Sequence, residues 1–311
     1  MDIKVRLARG TPLDAMQVAT IIRLQFPEVL PSTVVYLGEG CDSRAYEING
    51  RWVFRFPKRA DIEQQLAVES RVVPVLAAQL PLALPVFRFH GQPCEAFPFH
   101  FVGYQKLPGV PAIQVDPRTM PLERWAPTIG RFLSKLHRFP IGEAERLGVE
   151  PRDVTSLLEE VRADALDDFE LLNQVARAAP LEQWHSFFKA GCLPPGPSRP
   201  VVVHGDLAAE HVLFDPTKQK LTGIIDWSEI AVSDCSVDLA GCFHWGGEPC
   251  INAVLSAYEG LVDEKVLTRA RFLAACRGVG DIAFGLKTAR PEYIEAGVRA
   301  LSLCLGGVDH A

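Results

Sequence analysis

The chain has 311 residues, 48% of them hydrophobic and 23% charged, with a net charge of −6. That is enough length for two lobes with their own cores, and a composition that excludes disorder. The acidic balance excludes a general nucleic-acid binder, which needs a basic face.

Other broad classes fall away on similar grounds. The first ten residues, MDIKVRLARG, show no apolar stretch with a small-residue cleavage site, so no secretion signal is expected. The most apolar tract, VVPVLAAQLPLALPVF, is broken by Pro74, Gln79, Pro81 and Pro85 and does not read as a membrane span. Eight cysteines are scattered without a CxxC pair or zinc spacing, which suits reduced thiols in a cytoplasm.

In chain order, TPLDAMQVATIIRLQFP reads as a short helix. Thr11 is its expected N-cap, Pro12 its first residue and Asp14 part of its first turn, with Met16, Ile21, Ile22 and Leu24 as the apolar stripe. TVVYLGEG and RAYEINGRWVFRFP are β-rich, with a hairpin turn at Asn49-Gly50. A helix follows over DIEQQLAVESRVVPVLAAQL, where Pro74 is expected to kink or shorten it. FPFHFVGYQKLPGVP then reads as a strand leading into a Gly/Pro connector.

Beyond the connector the pattern turns helical. One helix carries Trp125, Ile129, Phe132, Leu133 and Leu136 on a single face, and a second carries Val154, Leu157, Leu158, Val161 and Phe169. The loop CLPPGPSRP delivers the chain to a strand at Val201–Val203, and HVLFD and LTGIIDW bracket a turn around Pro216. The region from Val254 to Leu305 reads as helix. The expected fold is therefore α+β and two-lobed: a β-rich N-lobe over residues 1–103, a connector at 104–110, and a mainly helical C-lobe over 111–311. Ligands are expected in a cleft at the connector.

His204, Asp206, His211 and Asp226 need explaining, because they interrupt what is otherwise strand sequence. Three chemistries are open. A hydrolytic metal site would use His and Asp ligands, but no HExxH or HxHxD spacing is present. A structural network would have them hydrogen-bond to loop backbone, a reading that suits His204 best. Phosphoryl transfer would use one Asp to orient an acceptor hydroxyl, with a residue about five on and an Asp on the next strand holding magnesium. The last requires further parts, and each has a candidate. Gly38, Gly40 and Ser43 lie in a turn able to cover phosphates, Arg55 (with Lys58 near) supplies a cation, and Glu69 a helical carboxylate to hold it.

HGDLAAEH followed by IIDW resembles the catalytic signature of the antibiotic kinases, a branch of the protein-kinase-like superfamily whose usual form is HGDxxxxN. His211 in place of Asn is similar to the aminoglycoside 2''-phosphotransferases and the macrolide 2'-phosphotransferases. The resemblance runs from about Val34 to Asp238. It implies a protein-kinase-like two-lobed fold, with Asp206 as catalytic aspartate and His211 and Asp226 as magnesium ligands. Ser43, Arg55 and Glu69 fall to the nucleotide phosphates, and backbone near Gln105 and Leu107 to the base. Arg55 stands where most kinases have lysine, so the contact to the phosphates is expected to differ.

The implied activity is phosphate transfer from ATP or GTP, with Mg2+, to a hydroxyl of a small molecule: an aminoglycoside first, a macrolide or another small metabolite second. Glu229, Asp238, Trp245 and Glu248 are the expected substrate residues, although LAGCFHWGGEPC is poorer in carboxylates than an aminoglycoside site wants. A rival of a different class is an inactive kinase-like binding module. The expected partner is the small substrate, with neither nucleic acid nor membrane, and the chain is expected to act as a cytoplasmic monomer.

Overall fold

The computed structural model describes residues 13–40, 42–116, 119–174, 181–190 and 199–306. They form two compact units. The first takes the chain up to Ala78 and residues 83–107; the second takes residues 79–82 and everything from Pro108 on.

The first unit opens with helix α1 (Ala15–Gln25). Its expected cap, Thr11, and Pro12 lie outside the described residues. Among those described, Asp14 is the N-cap and not part of the first turn. Its carboxylate accepts from Gln17 N–H at 2.7 Å, and the Gln17 side chain accepts from Asp14 N–H at 2.8 Å. The buried stripe is Val18, Ile21 and Ile22, whereas Met16 and Leu24 are each 78% exposed. At about 100° per residue, positions 16 and 24 lie two residues from the stripe and point away from it.

Strands β1 (Val34–Glu39), β2 (Ser43–Ile48), β3 (Trp52–Pro57), β4 (Phe87–Gly91) and β5 (Phe101–Gln105) make one antiparallel sheet in the order β1-β2-β3-β5-β4. The turn between β2 and β3 uses Asn49 (φ +56°) and Gly50 (φ +64°), closed by Arg51 N–H donating to Ile48 C=O at 3.0 Å. Two successive left-handed residues match the twist of the flanking strands, which is why Asn-Gly is favoured there. One sheet face carries an aromatic core in which Phe56 stacks on Phe101 at 4.6 Å and Tyr46 meets Phe56 edge-on. The Tyr46 hydroxyl donates to Leu13 C=O at 2.8 Å, tying the chain just before α1 to this core.

Helix α2 (Ile62–Ala77) runs through Pro74, whose missing N–H leaves the Ser70 C=O without its i→i−4 donor, and ends within a turn of it. Its Glu69 is fully buried and accepts both 2.9 and 3.2 Å bonds from Arg55 Nη1 on β3. Truncating one member of a buried pair removes its compensation of the other's charge. Glu69→Ala is therefore expected to lower stability by about 3–5 kcal/mol, read as the midpoint of urea unfolding. A loss below about 1 kcal/mol would show that water relieves Arg55.

In the second unit, helix α3 (Leu122–Leu136) buries all five residues of its expected stripe. Short strand β6 (Val110–Pro111) joins β8 (Val212–Asp215) and β9 (Lys220–Ile224) in the order β6-β8-β9. Strand β7 (Pro200–Val203) pairs instead with β10 (Ala231–Asp234). Helices α4 (Ile141–Arg146), α5 (Val154–Asp168) and α6 (Leu181–Lys189) precede these strands. Helices α7 (Ser236–Leu255), α8 (Glu264–Thr288) and α9 (Pro291–Leu305) follow them and pack on one another. Helix α7 is broken at Gly246-Gly247, where Gly247 has φ +62° and ψ −153°. No helix among the described residues is long and apolar enough to cross a membrane.

Candidate active site

The loop from His204 to His211 joins β7 to β8, and its shape is set from beneath by Asp238 near the start of α7. Asp238 is 0% exposed. It accepts from His204 N–H at 2.9 Å, Gly205 N–H at 3.0 Å and His137 Nε2 at 3.0 Å. Burial alone would raise its pKa, but these donors and the two histidines hold it below the ordinary carboxylate range. The expectation that Asp238 meets substrate is thus corrected. Its carboxylate is consumed in bracing the loop.

His204 is also fully buried. Its Nε2–H donates to Ile225 C=O at 3.1 Å, Nδ1 accepts from Asp206 N–H at 3.3 Å, and the ring meets Trp227 edge-on at 4.6 Å. Burial lowers its pKa, which fits the neutral tautomer those bonds require. Gly205 has φ +88°, and a Cβ there would fall 1.9 Å from Glu229 C=O. Gly205→Ala must move one of two backbones, so a stability loss of about 2–3 kcal/mol is expected, read as a fall in melting temperature. An unchanged melting temperature would show that the loop gives way freely.

The groups between these supports are half-exposed. His211 donates Nδ1–H to Asp206 C=O at 2.7 Å, leaving Nε2 directed towards Asp226 Oδ2 at 3.7 Å; the Asp206 carboxylate lies 3.5 Å from Nδ1. Burial opposes charge on this ring, but Asp206, Asp226 and Glu210 outweigh it and raise the pKa. Asp226 follows β9 with φ +63°, a left-handed conformation that Asp tolerates better than most residues. The Ser228 hydroxyl donates to its Oδ1 at 3.2 Å, and the adjoining Ile225 N–H donates to His211 C=O at 2.9 Å. Asp206, His211 and Asp226 therefore form one contiguous edge, as their spacing suggests.

A fourth member was not legible. Arg277, midway along α8, donates Nη1–H to Asp206 Oδ1 and Nη2–H to Glu210 Oε1 at 2.6 Å. Glu210 is buried, and Arg277 with His211 and His244 overrides that burial to hold its carboxyl down at about 2.

The other expected substrate residues do not converge here. Glu229 pairs with Arg152 at 2.9 Å, Glu248 is exposed beside Arg271 at 3.7 Å, and Trp245 stacks on Trp125 at 4.0 Å. In the first unit, Arg55 is paired with Glu69 as described. Ser43 begins β2 with a buried hydroxyl that has no hydrogen-bond partner among the described residues. Gly40 is pinned by its N–H to Ser43 C=O at 3.1 Å and by Lys58 Nζ donating to its carbonyl at 2.7 Å. Gln105 ends β5 in an exposed position, and Leu107 is half-buried two residues on.

The chain is 26% identical to YcbJ, an uncharacterized protein of Bacillus subtilis (strain 168), over 269 residues that cover 81% of this chain and 83% of that one. Among solved structures, the GDP and kanamycin complex of APH(2")-IIia superposes with TM-score 0.72 at 26% identity, over 93% of this chain and 98% of the other. A macrolide 2'-phosphotransferase type I superposes with TM-score 0.61 at 25% identity, over 96% and 100%. These neighbours share the α+β, kinase-like architecture. The sequence model of APH, described as the phosphotransferase enzyme family, matches residues 33–273, and the chain belongs to that family.

Proposed function

We propose that the protein transfers the γ-phosphoryl group of ATP or GTP to a hydroxyl of a small, antibiotic-like molecule. The observation that carries this reading is the edge formed by Asp206, His211 and Asp226 on a loop braced by the buried Asp238. Phosphoryl transfer passes through a loose transition state, so the protein's task is positioning and charge compensation, not covalent chemistry. Asp206 suits the acceptor side: Oδ1 is held by Arg277, and its other oxygen can orient a hydroxyl and take its proton late. In the first unit, Arg55 buttressed by Glu69 suits the donor's phosphates. The Ser43 hydroxyl and its turn suit their cover, and the backbone near Gln105 and Leu107 suits the base.

His211 Nε2 and Asp226 Oδ2 are two donors 3.7 Å apart on one side. No third His, Cys, Asp or Glu joins them in a metal cluster among the described residues. The Asp226 carboxylate fits Mg2+, which binds through few protein ligands and takes the rest from water and phosphate oxygens, with the His211 nitrogen the weaker member of the pair. When bound, magnesium would neutralise charge on the transferring phosphates.

The GDP and kanamycin complex and the macrolide enzyme point to a nucleotide donor and an antibiotic acceptor. Of those two antibiotic classes, the carboxylate placement favours the macrolide. Asp238 is buried and Glu229 and Glu248 lie beside arginines, so these three expected substrate carboxylates offer a polycation little uncompensated charge. The test is phosphate transfer from labelled ATP and GTP to a panel of macrolides and aminoglycosides. Nucleotide binding with no transfer and no hydrolysis would favour the inactive binding module instead.

A further inference from the structure

We propose that Arg277 determines acceptor specificity. It is a built-in cation at Asp206 that restricts the acceptor to molecules carrying at most one positive charge. The inference rests on the phosphotransfer reading above and names the acceptor class for that same site.

Three observations carry it. First, the Asp206 carboxylate, which the phosphotransfer reading sets at the acceptor, and the neighbouring Glu210 are both already paired with Arg277. An incoming ammonium finds their charge compensated and meets the guanidinium as a like charge. Second, Arg277 is not a mobile surface group. Its side chain is mostly buried on α8, between Asp206 and Glu210 on one side and Asp281 one turn further along the helix. Those three carboxylates raise its pKa well above the arginine norm against the effect of burial, so no accessible pH discharges it.

Third, the surrounding polar shell is incompletely satisfied. Arg277 Nε, Glu210 Oε2 and Asp281 Oδ2 are buried without hydrogen-bond partners among the described residues. His244 Nε2 lies 2.8 Å from Asp281 Oδ2 but is not aligned for a hydrogen bond. Buried polar atoms are rarely left so, and where they are, a functional reason or a missing polar partner is expected. These atoms form a buried polar shell behind the Arg277 fork, so the carboxylate oxygens of Glu210 and Asp281 in it are not open to a row of ammonium groups.

The experiment compares the wild type with Arg277→Lys and Arg277→Gln, after confirming by melting temperature that each is folded. Binding of kanamycin (a polycation) and erythromycin (one amine) is measured by calorimetry without nucleotide at two salt concentrations, and kcat and KM are measured with magnesium and nucleotide. Gln removes the charge and leaves a shorter, neutral amide, so kanamycin affinity is expected to rise about tenfold or more, the gain of roughly one charge-assisted contact, with a steeper salt dependence. Lys keeps the charge and is expected to keep the discrimination, which a merely structural role for the guanidinium fork would not predict. Because Arg277 also holds Asp206 Oδ1, kcat is expected to fall for both acceptors in Arg277→Gln, and the readout of specificity is the ratio of kanamycin to erythromycin affinity, which is expected to shift towards kanamycin.

If Arg277→Gln does not fold, Arg277→Gln combined with Glu210→Gln removes the buried carboxylate it would strand, and the same comparison is made. The inference is overturned if the charge-free variant leaves kanamycin binding at the wild-type value. It is equally overturned if Arg277→Lys gains as much, or if the wild type already binds kanamycin more tightly than erythromycin. If the wild type neither hydrolyses nucleotide nor phosphorylates any acceptor of the panel, the phosphotransfer reading fails instead, and kanamycin binding still decides the role of Arg277.

Discussion

Asp206→Asn is expected to lower kcat by about 10²–10⁴-fold, the range of a positioned general base, while nucleotide KM stays near its wild-type value. Asparagine preserves the shape of the side chain and can still accept from Arg277 through its amide oxygen. It cannot present a charge to the acceptor hydroxyl or receive its proton. On the proposed role of Asp206 at the acceptor, donor binding is expected to be spared. His204 provides the contrast. Its ring bonds to Ile225 C=O and Asp206 N–H inside the fold, so substitution is expected to depress melting temperature and rate together. Measuring kcat, nucleotide KM and melting temperature for both variants separates chemistry from support. An Asp206→Asn enzyme with near-normal kcat on its true acceptor would remove Asp206 from the reaction.

The contrast between these residues also marks what the sequence made legible. The hairpin at Asn49-Gly50 was readable because the turn's two left-handed residues are specified by the two residues that occupy it. The α3 stripe was readable because helical periodicity is a local property. The edge of Asp206, His211 and Asp226 was readable because a short loop and a hairpin bring the three together with little help from distant chain.

What escaped notice depends on packing across long separations. Arg277 is 71 residues from Asp206, on a helix whose composition gives no sign that one arginine turns inward to the loop between β7 and β8. Asp238 resembled a substrate carboxylate because its sequence position cannot reveal that two loop N–H groups and His137 converge on it. Residues 79–82 follow the N-lobe helix directly, yet belong with the second unit. The expected stripe of α1 differs for a smaller reason: its apolar residues do not all share one angular face. Only Val18, Ile21 and Ile22 do.

Asp226→Ala is expected to abolish turnover, a loss above about 10³-fold if the metal contributes several kcal/mol of charge stabilisation, and to remove the magnesium dependence of nucleotide binding. Two effects are mixed in that variant. Asp226 sits at φ +63°, where alanine is less at ease than aspartate, so backbone strain alone is expected to destabilise the turn by about 1 kcal/mol. Asp226→Asn separates them, because asparagine tolerates the left-handed conformation and keeps an oxygen in place while losing the charge. If charge on the ligand is what matters, the asparagine variant keeps its melting temperature yet loses most turnover, and its half-saturating magnesium concentration rises. His211 cannot compensate: a neutral imidazole nitrogen is a poor partner for a hard cation that prefers oxygen. Its Nδ1–H is also committed to Asp206 C=O. Calorimetric titration of nucleotide with and without magnesium checks the binding half of this expectation independently of any acceptor. An Asp226→Asn protein that binds magnesium-nucleotide and turns over like the wild type would show that the metal is held elsewhere.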